Sequence, residues 1–226
     1  MWYNVREEVM GMVDIKKCYF HSLNLNSEKT LELLEKIIKD GKILSLERSG
    51  AYSDGFRMNT RDEICISKKS PFRLFYNSAY GMYAREKLSF ILKGDLPGVY
   101  KPELIPISET FGGALRYVNS GLTDMYDEYR VRDEISLDQV VGINIPVSTI
   151  IDNIGDYKWF FLGFDESFRG NRNDNYKKRV SNTREFYNRV VDILESNGID
   201  LPIYDIEARK EIKSELDIGK VKKKRK

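Results

Sequence analysis

Residues 127–133 read Asp127-Glu128-Tyr129-Arg130-Val131-Arg132-Asp133, and this stretch decides the predicted fold. Tyr129 and Val131 alternate with charged residues, which is the period of a strand with one buried face. An acid stands at the beginning of that strand, and a second strand is predicted over residues 140–146. We therefore place the chemistry of this chain at Glu128.

Two other acids compete with Glu128 for that role. Asp127 precedes it and would lie on the opposite face of the strand, because side chains alternate along a strand. Glu134 belongs to a polar link over residues 133–138. The alternative for Glu128 itself is a solvated acid at a strand end, since carboxylates are mostly exposed.

The composition is that of one globular domain. The chain has 226 residues, of which 41% are hydrophobic and 32% charged, and this length is sufficient to bury a substantial core. We expect a single domain over residues 1–212. Residues 213–226 end in a run of lysines and one arginine with too little apolar content to fold alone, so we expect a disordered basic tail.

The charges nearly cancel over the whole chain. Lys and Arg number 37 and Asp and Glu 35, which gives a net charge of +2, so the total charge does not indicate a nucleic-acid partner. No apolar run reaches the roughly 20 residues of a membrane helix, and the first residues lack the apolar core of a signal peptide. We expect a cytoplasmic protein with no membrane partner.

Metal and thiol chemistry have few candidates in this sequence. Cys18 and Cys65 lie in apolar runs that read as strands, and we expect both to be buried free thiols. His21 is the only histidine, and the sequence has no Cys-x-x-Cys, so zinc sites of the His/Cys type lack a ligand set. We expect no metal.

Hydrophobic patterns predict an α+β fold in which strands outnumber helices. Residues 26–41 have apolar side chains at helical spacing, a capping residue at the beginning and Gly41 at the end. A second amphipathic helix is predicted over residues 183–194. Earlier strands are predicted at residues 17–21, 43–46, 63–67 and 88–92.

Three segments resemble the ADP-ribosyltransferase superfamily. Residues 127–133, followed by the strand at residues 140–143, resemble the strand of the catalytic glutamate in that superfamily, which includes the poly(ADP-ribose) polymerases. Residues 64–72, a strand that leads into a basic-Ser-Pro-apolar turn, look like the second motif of DarT-type ADP-ribosyltransferases. Residues 19–22 and 40–44, with a helix between them, are similar to the opening histidine segment of both groups. The segments occur in the family's order.

The resemblance implies a split two-sheet ADP-ribosyltransferase-like fold with flanking helices, and an enzyme that uses NAD as its substrate. Such a glycosyltransferase breaks the bond between nicotinamide and ribose through an oxocarbenium-like state, much as glycosidases do at their sugars. A carboxylate hydrogen-bonded to a ribose hydroxyl stabilises the positive charge that grows on the ribose. On the resemblance, Glu128 is this catalytic carboxylate.

The resemblance also assigns residues that bind NAD. His21, which the resemblance places with Glu128 among the catalytic residues, would donate ring N–H groups to ribose hydroxyls. The backbone of Ser22 would hold the nicotinamide carboxamide. The alternative for His21 is a hydrogen-bonded core residue. The diphosphate needs a cation, and the candidates flank the loop at residues 49–55: Arg48, Arg57 and Arg61.

The second motif departs from the polymerase pattern. Cys65 stands where the polymerases have tyrosine, so Ser67 or a nearby aromatic residue would line the pocket. Tyr80 and Tyr83 share one face of a helix predicted around residues 78–87. Either tyrosine can stack on nicotinamide, and ordinary core packing is the alternative for both.

The acceptor is predicted from the residues around the two later motifs. Tyr126 stands two residues before Glu128, where arginine-modifying relatives tend to have a second acid, so arginine is a less favoured acceptor. An aromatic residue with nearby cations suits a nucleobase that stacks and a phosphate chain. The candidates for binding the acceptor are Tyr126, Lys68, Lys69 and Arg73.

We therefore expect a mono-ADP-ribosyltransferase that modifies a macromolecule, with nucleic acid, either DNA or RNA, ahead of protein. A toxin, an effector or a phage-defence factor fits this activity, with an antitoxin or a hydrolase as a partner. Two other functions stay open: an NAD glycohydrolase on the same fold, and a non-catalytic module that binds nucleic acid through its basic tail and aromatic residues. The nucleotide signatures G-x-G-x-x-G and G-x-x-x-x-G-K-[ST] are absent, which disfavours Rossmann dehydrogenases and P-loop enzymes.

Overall fold

The computed structural model describes residues 14–15, 17–23, 27–49, 62–68, 88–101, 128–152, 172–206 and 208–220. Within these ranges the helices are α1 (Ser27–Asp40), α2 (Leu46–Ser49), α3 (Val147–Asp152) and α4 (Arg172–Ser196). The strands are β1 (Tyr19–Ser22), β2 (Lys42–Leu44), β3 (Glu63–Ser67), β4 (Ser89–Leu92), β5 (Glu128–Arg132), β6 (Glu134–Ser136), β7 (Val140–Asn144), β8 (Ile203–Asp205) and β9 (Lys210–Glu211).

Among the described residues, seven strands form one sheet in the order β5-β3-β1-β4-β7-β8-β9, and β2 pairs with β6 in a small second sheet. Among the described strands only β7 and β8 pair in parallel; the other neighbours are antiparallel. The chain is therefore α+β, as the sequence predicts.

The large hydrophobic core lies between one face of the seven-stranded sheet and helices α1 and α4. The sheet contributes Ile66, Phe90 and Ile143, and the helices contribute Leu34 and Val190; all five are 2% exposed or less. We call this side of the sheet the helix-covered face. Burial of these side chains from several elements is the main force that holds the sheet and the two helices together.

Helix α1 follows closely from its sequence. Its apolar residues recur at helical spacing and are buried, and it ends at Asp40. Gly41 has a φ of 68°, the left-handed conformation that glycine adopts without a steric cost and that commonly terminates helices. The predicted helix over residues 26–41 is confirmed.

The opposite face of the sheet carries a smaller apolar cluster, which includes Cys18, Phe20 and Tyr204. Cys18 is buried there, as expected, but Cys65 is exposed. Cys65 alternates along β3 with the buried Ile64 and Ile66, so its side chain points away from the large core. The expectation of a buried thiol is wrong for Cys65.

The segment predicted as a polar link after β5 contains a strand. Asp133 has a φ of 64° and makes the tight turn between β5 and β6. In β6 the single buried residue is Ile135, which pairs with Ile43 of β2. Glu134 therefore begins a strand of the small sheet.

The C-terminal part of the chain adds packed elements that the sequence did not indicate, namely α3, β8 and β9. The packed chain also continues past residue 212, because Ile218 is fully buried in the large core and follows a short 3-10 turn at Glu215–Asp217. Residues 221–226 of the expected tail lie outside the described residues. In the part that the structure describes, no helix is both long and apolar enough to cross a bilayer.

Candidate functional site

The three segments that carry the resemblance form neighbouring strands of the large sheet. β1, β3 and β5 are adjacent at one side of it. Phe20 of β1 pairs with Ser67 of β3, and Ser67 pairs with Glu128 of β5. Neighbouring strands are about 4.8 Å apart, so the backbone of Glu128 lies roughly 10 Å from that of Phe20, the neighbour of His21. Residues more than 100 positions apart in the sequence thus meet at one end of the sheet.

The predicted NAD-binding residues of β1 and β3 lie on different faces of the sheet. His21 pairs with Phe90 and therefore shares the helix-covered face, because paired residues point to the same side. Ser67 pairs with Phe20, on the opposite face. One ligand can contact the side chains of His21 and Ser67 only by passing around the strand ends. Ser22 is expected to bind the nicotinamide carboxamide through its backbone, and the alternation of side chains between the two faces does not affect that role.

The protonation of His21 follows from its hydrogen bond. Its Nδ1 lies 3.0 Å from the carbonyl oxygen of Cys65, and a carbonyl can only accept, so Nδ1 carries the proton. Burial lowers the pKa of His21, and the hydrogen bond to the Cys65 carbonyl opposes part of this effect. The ring is therefore neutral at pH 7, and Nε2 is an acceptor. We expected ring N–H donors toward ribose; in this tautomer Nε2 can instead accept a hydrogen bond from a ribose hydroxyl.

A row of polar side chains begins at the half-buried Ser22 and continues to the buried Ser89 and Asn144 of the central strands. The Oγ atoms of Ser22 and Ser89 are 3.0 Å apart, and Ser89 pairs with Asn144 of β7. Asn144 is fully buried, and its Oδ1 accepts a hydrogen bond from the backbone N–H of Ile206 at 3.1 Å. Within the described ranges, its Nδ2 has no hydrogen-bond partner; an unsatisfied buried donor costs about 1–3 kcal/mol. The sequence signal for this row is one asparagine inside the apolar run of β7.

Lys68, predicted to bind the acceptor, lies against two tyrosines. Its Nζ is 5.7 Å from the ring centroid of Tyr19 and 6.0 Å from that of Tyr129. The two rings are 5.3 Å apart and meet edge to face at 70°, a favourable geometry for an aromatic pair. A cation over these rings is stabilised by about 0.5–1 kcal/mol at an exposed position. The sequence did not single out either tyrosine, because their contact depends on the strand order.

Arg48, a candidate for the NAD diphosphate, is held by the turn between β5 and β6. Its Nε lies 3.5 Å from Oδ1 of Asp133, and its Nη1 lies 2.9 Å from Oε2 of Glu134. The same Glu134 oxygen is 3.1 Å from Nζ of Lys42. Glu134, the competing acid, is therefore compensated by two cations, and Arg48 already has two carboxylate partners.

A second polar cluster involves strand β5. Tyr100 and Arg130 exchange two backbone hydrogen bonds, of 3.0 and 2.9 Å. Glu63 accepts hydrogen bonds from the hydroxyl of Tyr100 and, at 2.7 Å, from Nη1 of Arg130. The Arg130 and Glu63 side chains are 23% and 12% exposed, so this ion pair is largely desolvated. Sequence reasoning missed the cluster because it joins residues from three separate segments.

The other predicted site residues lie outside the described residues: Arg57, Arg61, Lys69, Arg73, Tyr80, Tyr83 and Tyr126. Glu128 is placed by its backbone as the first residue of β5. In the part of the chain that the structure describes, no three His, Cys, Asp or Glu side chains are grouped so as to hold a metal ion. Comparison with protein-family models, curated proteins and solved structures finds no match to this chain.

Proposed function

We propose that this protein is a mono-ADP-ribosyltransferase of the split two-sheet type, which takes NAD as its substrate and modifies a macromolecule, nucleic acid ahead of protein. One observation supports the proposal most. The segments that resemble the three family motifs are distant in sequence but form the adjacent strands β1, β3 and β5. An active site built from the three motifs needs them to be neighbours.

In the proposed reaction, the bond between the ribose carbon and the nicotinamide nitrogen breaks, and nicotinamide leaves with the bonding electron pair. A nitrogen or oxygen atom of the acceptor then supplies the electron pair of the new bond to the same carbon. The acceptor loses its proton to a base or to solvent. The Glu128 carboxylate would stabilise the positive charge on the ribose and polarise the acceptor.

The surroundings of the other nearby acids support the choice of Glu128. Glu134 contacts both Lys42 and Arg48, and Glu63 is held by Arg130. A carboxylate that already compensates a cation has less capacity to stabilise a second positive charge. Glu134 and Glu63 are therefore weaker candidates for the catalytic acid.

The test uses labelled NAD with single-stranded DNA, RNA or a cell lysate as acceptor. We expect the wild-type chain to transfer label and Glu128→Gln to lose about 100-fold or more of the rate, because the amide cannot compensate the charge of the transition state. Glu134→Gln is the matched control and should retain most of the activity. Equal labelling by the wild type and Glu128→Gln would reject Glu128 as the catalytic residue.

The same assay separates the two other functions. Release of free ADP-ribose without a labelled acceptor would identify an NAD glycohydrolase. A salt-dependent gel shift with DNA or RNA, in the absence of any NAD turnover, would identify a binding module.

A further inference from the structure

A cleft of about 450 Å³ lies beside β5, the first strand in the order of the described sheet. One wall is the turn that contains Pro97, Gly98 and Tyr100, and the other is formed by Val131, Arg132 and Glu134. Gly98 has a φ of 71°, which a larger residue would adopt only with strain. The turn that shapes this wall therefore depends on a glycine.

Tyr100 is fixed from two directions in this wall. Its backbone pairs with Arg130 through two hydrogen bonds, and its hydroxyl donates to Glu63. A ring that is held before a ligand arrives loses little conformational freedom on binding. The aromatic wall of the cleft is therefore preorganised.

Arg132 supplies a positive charge to the cleft. Its guanidinium carbon lies 5.8 Å from the centroid of the Tyr100 ring, and its side chain is exposed. Within the described residues it makes no ion pair, whereas the two acids nearby, Glu63 and Glu134, are each held by other cations. The cleft thus combines an aromatic ring with a guanidinium that has no ion pair among the described residues.

We propose that this cleft binds the phosphate group of a small phosphorylated ligand, with Arg132 as the cation that holds it. The planar fork of a guanidinium matches two phosphate oxygens, and the cation–π interaction with the Tyr100 ring at 5.8 Å favours one position of the group. Pro97 and Tyr100 provide apolar surface for the rest of the ligand, as in most small-molecule pockets. Arg132 lies four residues along β5 from Glu128, about 13 Å, so this phosphate site does not depend on the proposed transferase activity.

The test is calorimetric titration of the full chain with three probes: inorganic phosphate, ribose 5-phosphate and AMP. We expect saturable binding by the wild type and a loss of affinity of about tenfold or more in Arg132→Gln, because one charged hydrogen-bonding partner of the phosphate is removed. Arg132→Lys keeps the charge but not the fork and should give an intermediate affinity. Arg189→Gln, an exposed change on α4, is the control and should bind as the wild type does.

The probes also identify the source of the phosphate. Tighter binding of AMP or ribose 5-phosphate than of inorganic phosphate shows that the cleft walls contact the organic part of the ligand. Equal affinity for all three probes supports a site for free phosphate. Absence of saturable binding by the folded wild type, or unchanged affinity in both Arg132 variants, would overturn the proposal.

Discussion

Replacement of Asp205 with alanine tests whether one buried carboxylate holds strand β8 to the beginning of helix α3. Asp205 lies on β8 and is fully buried. It accepts hydrogen bonds from the backbone N–H of Ser148 at 2.5 Å, from the Ser148 hydroxyl at 3.1 Å and from the backbone N–H of Ala208 at 2.9 Å. Because Ser148 is in the first turn of α3, the carboxylate satisfies a free N–H group at the beginning of that helix.

The expected loss of stability follows from these three contacts. A hydrogen bond to a charged group contributes about 1.5–3 kcal/mol, and water that enters the space left by alanine would recover part of it. We therefore expect Asp205→Ala to lower the free energy of unfolding by about 4 kcal/mol. For a domain of this length the melting temperature should fall by about 8–16 °C. Asp205→Asn keeps one acceptor oxygen but places an amide NH₂ group opposite an N–H or O–H donor. We expect this variant to lower the free energy of unfolding by about 2 kcal/mol.

Urea unfolding followed by circular dichroism measures these differences. Asp192→Ala, at an exposed position on α4, is the control, and we expect it to stay within about 0.5 kcal/mol of the wild type. A loss below about 1 kcal/mol in Asp205→Ala would show that the carboxylate does not stabilise this junction and would refute the reasoning.

Three further predictions concern single residues. His21 is the only histidine, so proton NMR can follow its ring alone; burial should place its pKa below 6.5, and a value at or above 6.5 would contradict this. Because the unfolded ring then binds a proton more readily than the folded ring, stability should fall as the pH drops below about 6.5, and His21→Asn should remove that part of the pH dependence. Iodoacetamide at pH 8 should modify the exposed Cys65 and spare Cys18, because burial and the nearby Asp14 charge raise the pKa of Cys18 to about 11. Peptide mass spectrometry of the folded, treated protein measures the modification of each thiol. Equal modification of both thiols would contradict the prediction. Gly142→Ala should lower the free energy of unfolding by about 1–3 kcal/mol, because the added Cβ would lie 2.9 Å from the Tyr204 ring. An unchanged midpoint in a urea titration would show that β7 and β8 accommodate the methyl group without loss of stability.

The sequence predicted the secondary-structure elements that are determined by their own residues. Helix α1 has apolar residues at helical spacing and a terminal glycine, and β3 and β4 are short apolar runs, so their sequences identify them. Strand β6 has three residues, of which only Ile135 is buried, and a period cannot be read from one residue. Its existence depends on pairing with β2, a contact between distant segments.

The candidate site was predicted in its residue types but not in its contacts. The position of Glu128 at the beginning of a strand follows from the sequence, and β5 begins there. The hydrogen bond between His21 and the carbonyl of Cys65 joins residues 44 positions apart, and the ion pair of Arg48 with Glu134 joins residues 86 positions apart. Such contacts follow from strand order and register, which hydrophobic periodicity does not determine.

A neutral His21 restricts the division of roles in the proposed reaction. A protonated imidazole in the site would add a positive charge near a ribose that itself becomes positive in the transition state, and it would oppose the reaction. Burial and the hydrogen bond at Nδ1 leave His21 with one acceptor atom, Nε2, and no positive charge at pH 7. In the proposed site His21 can therefore orient a ribose hydroxyl, while stabilisation of the growing charge falls to the carboxylate. The hydrogen bond at Nδ1 and the lowered pKa of His21 thus suit its ring to accepting a hydrogen bond from a ligand.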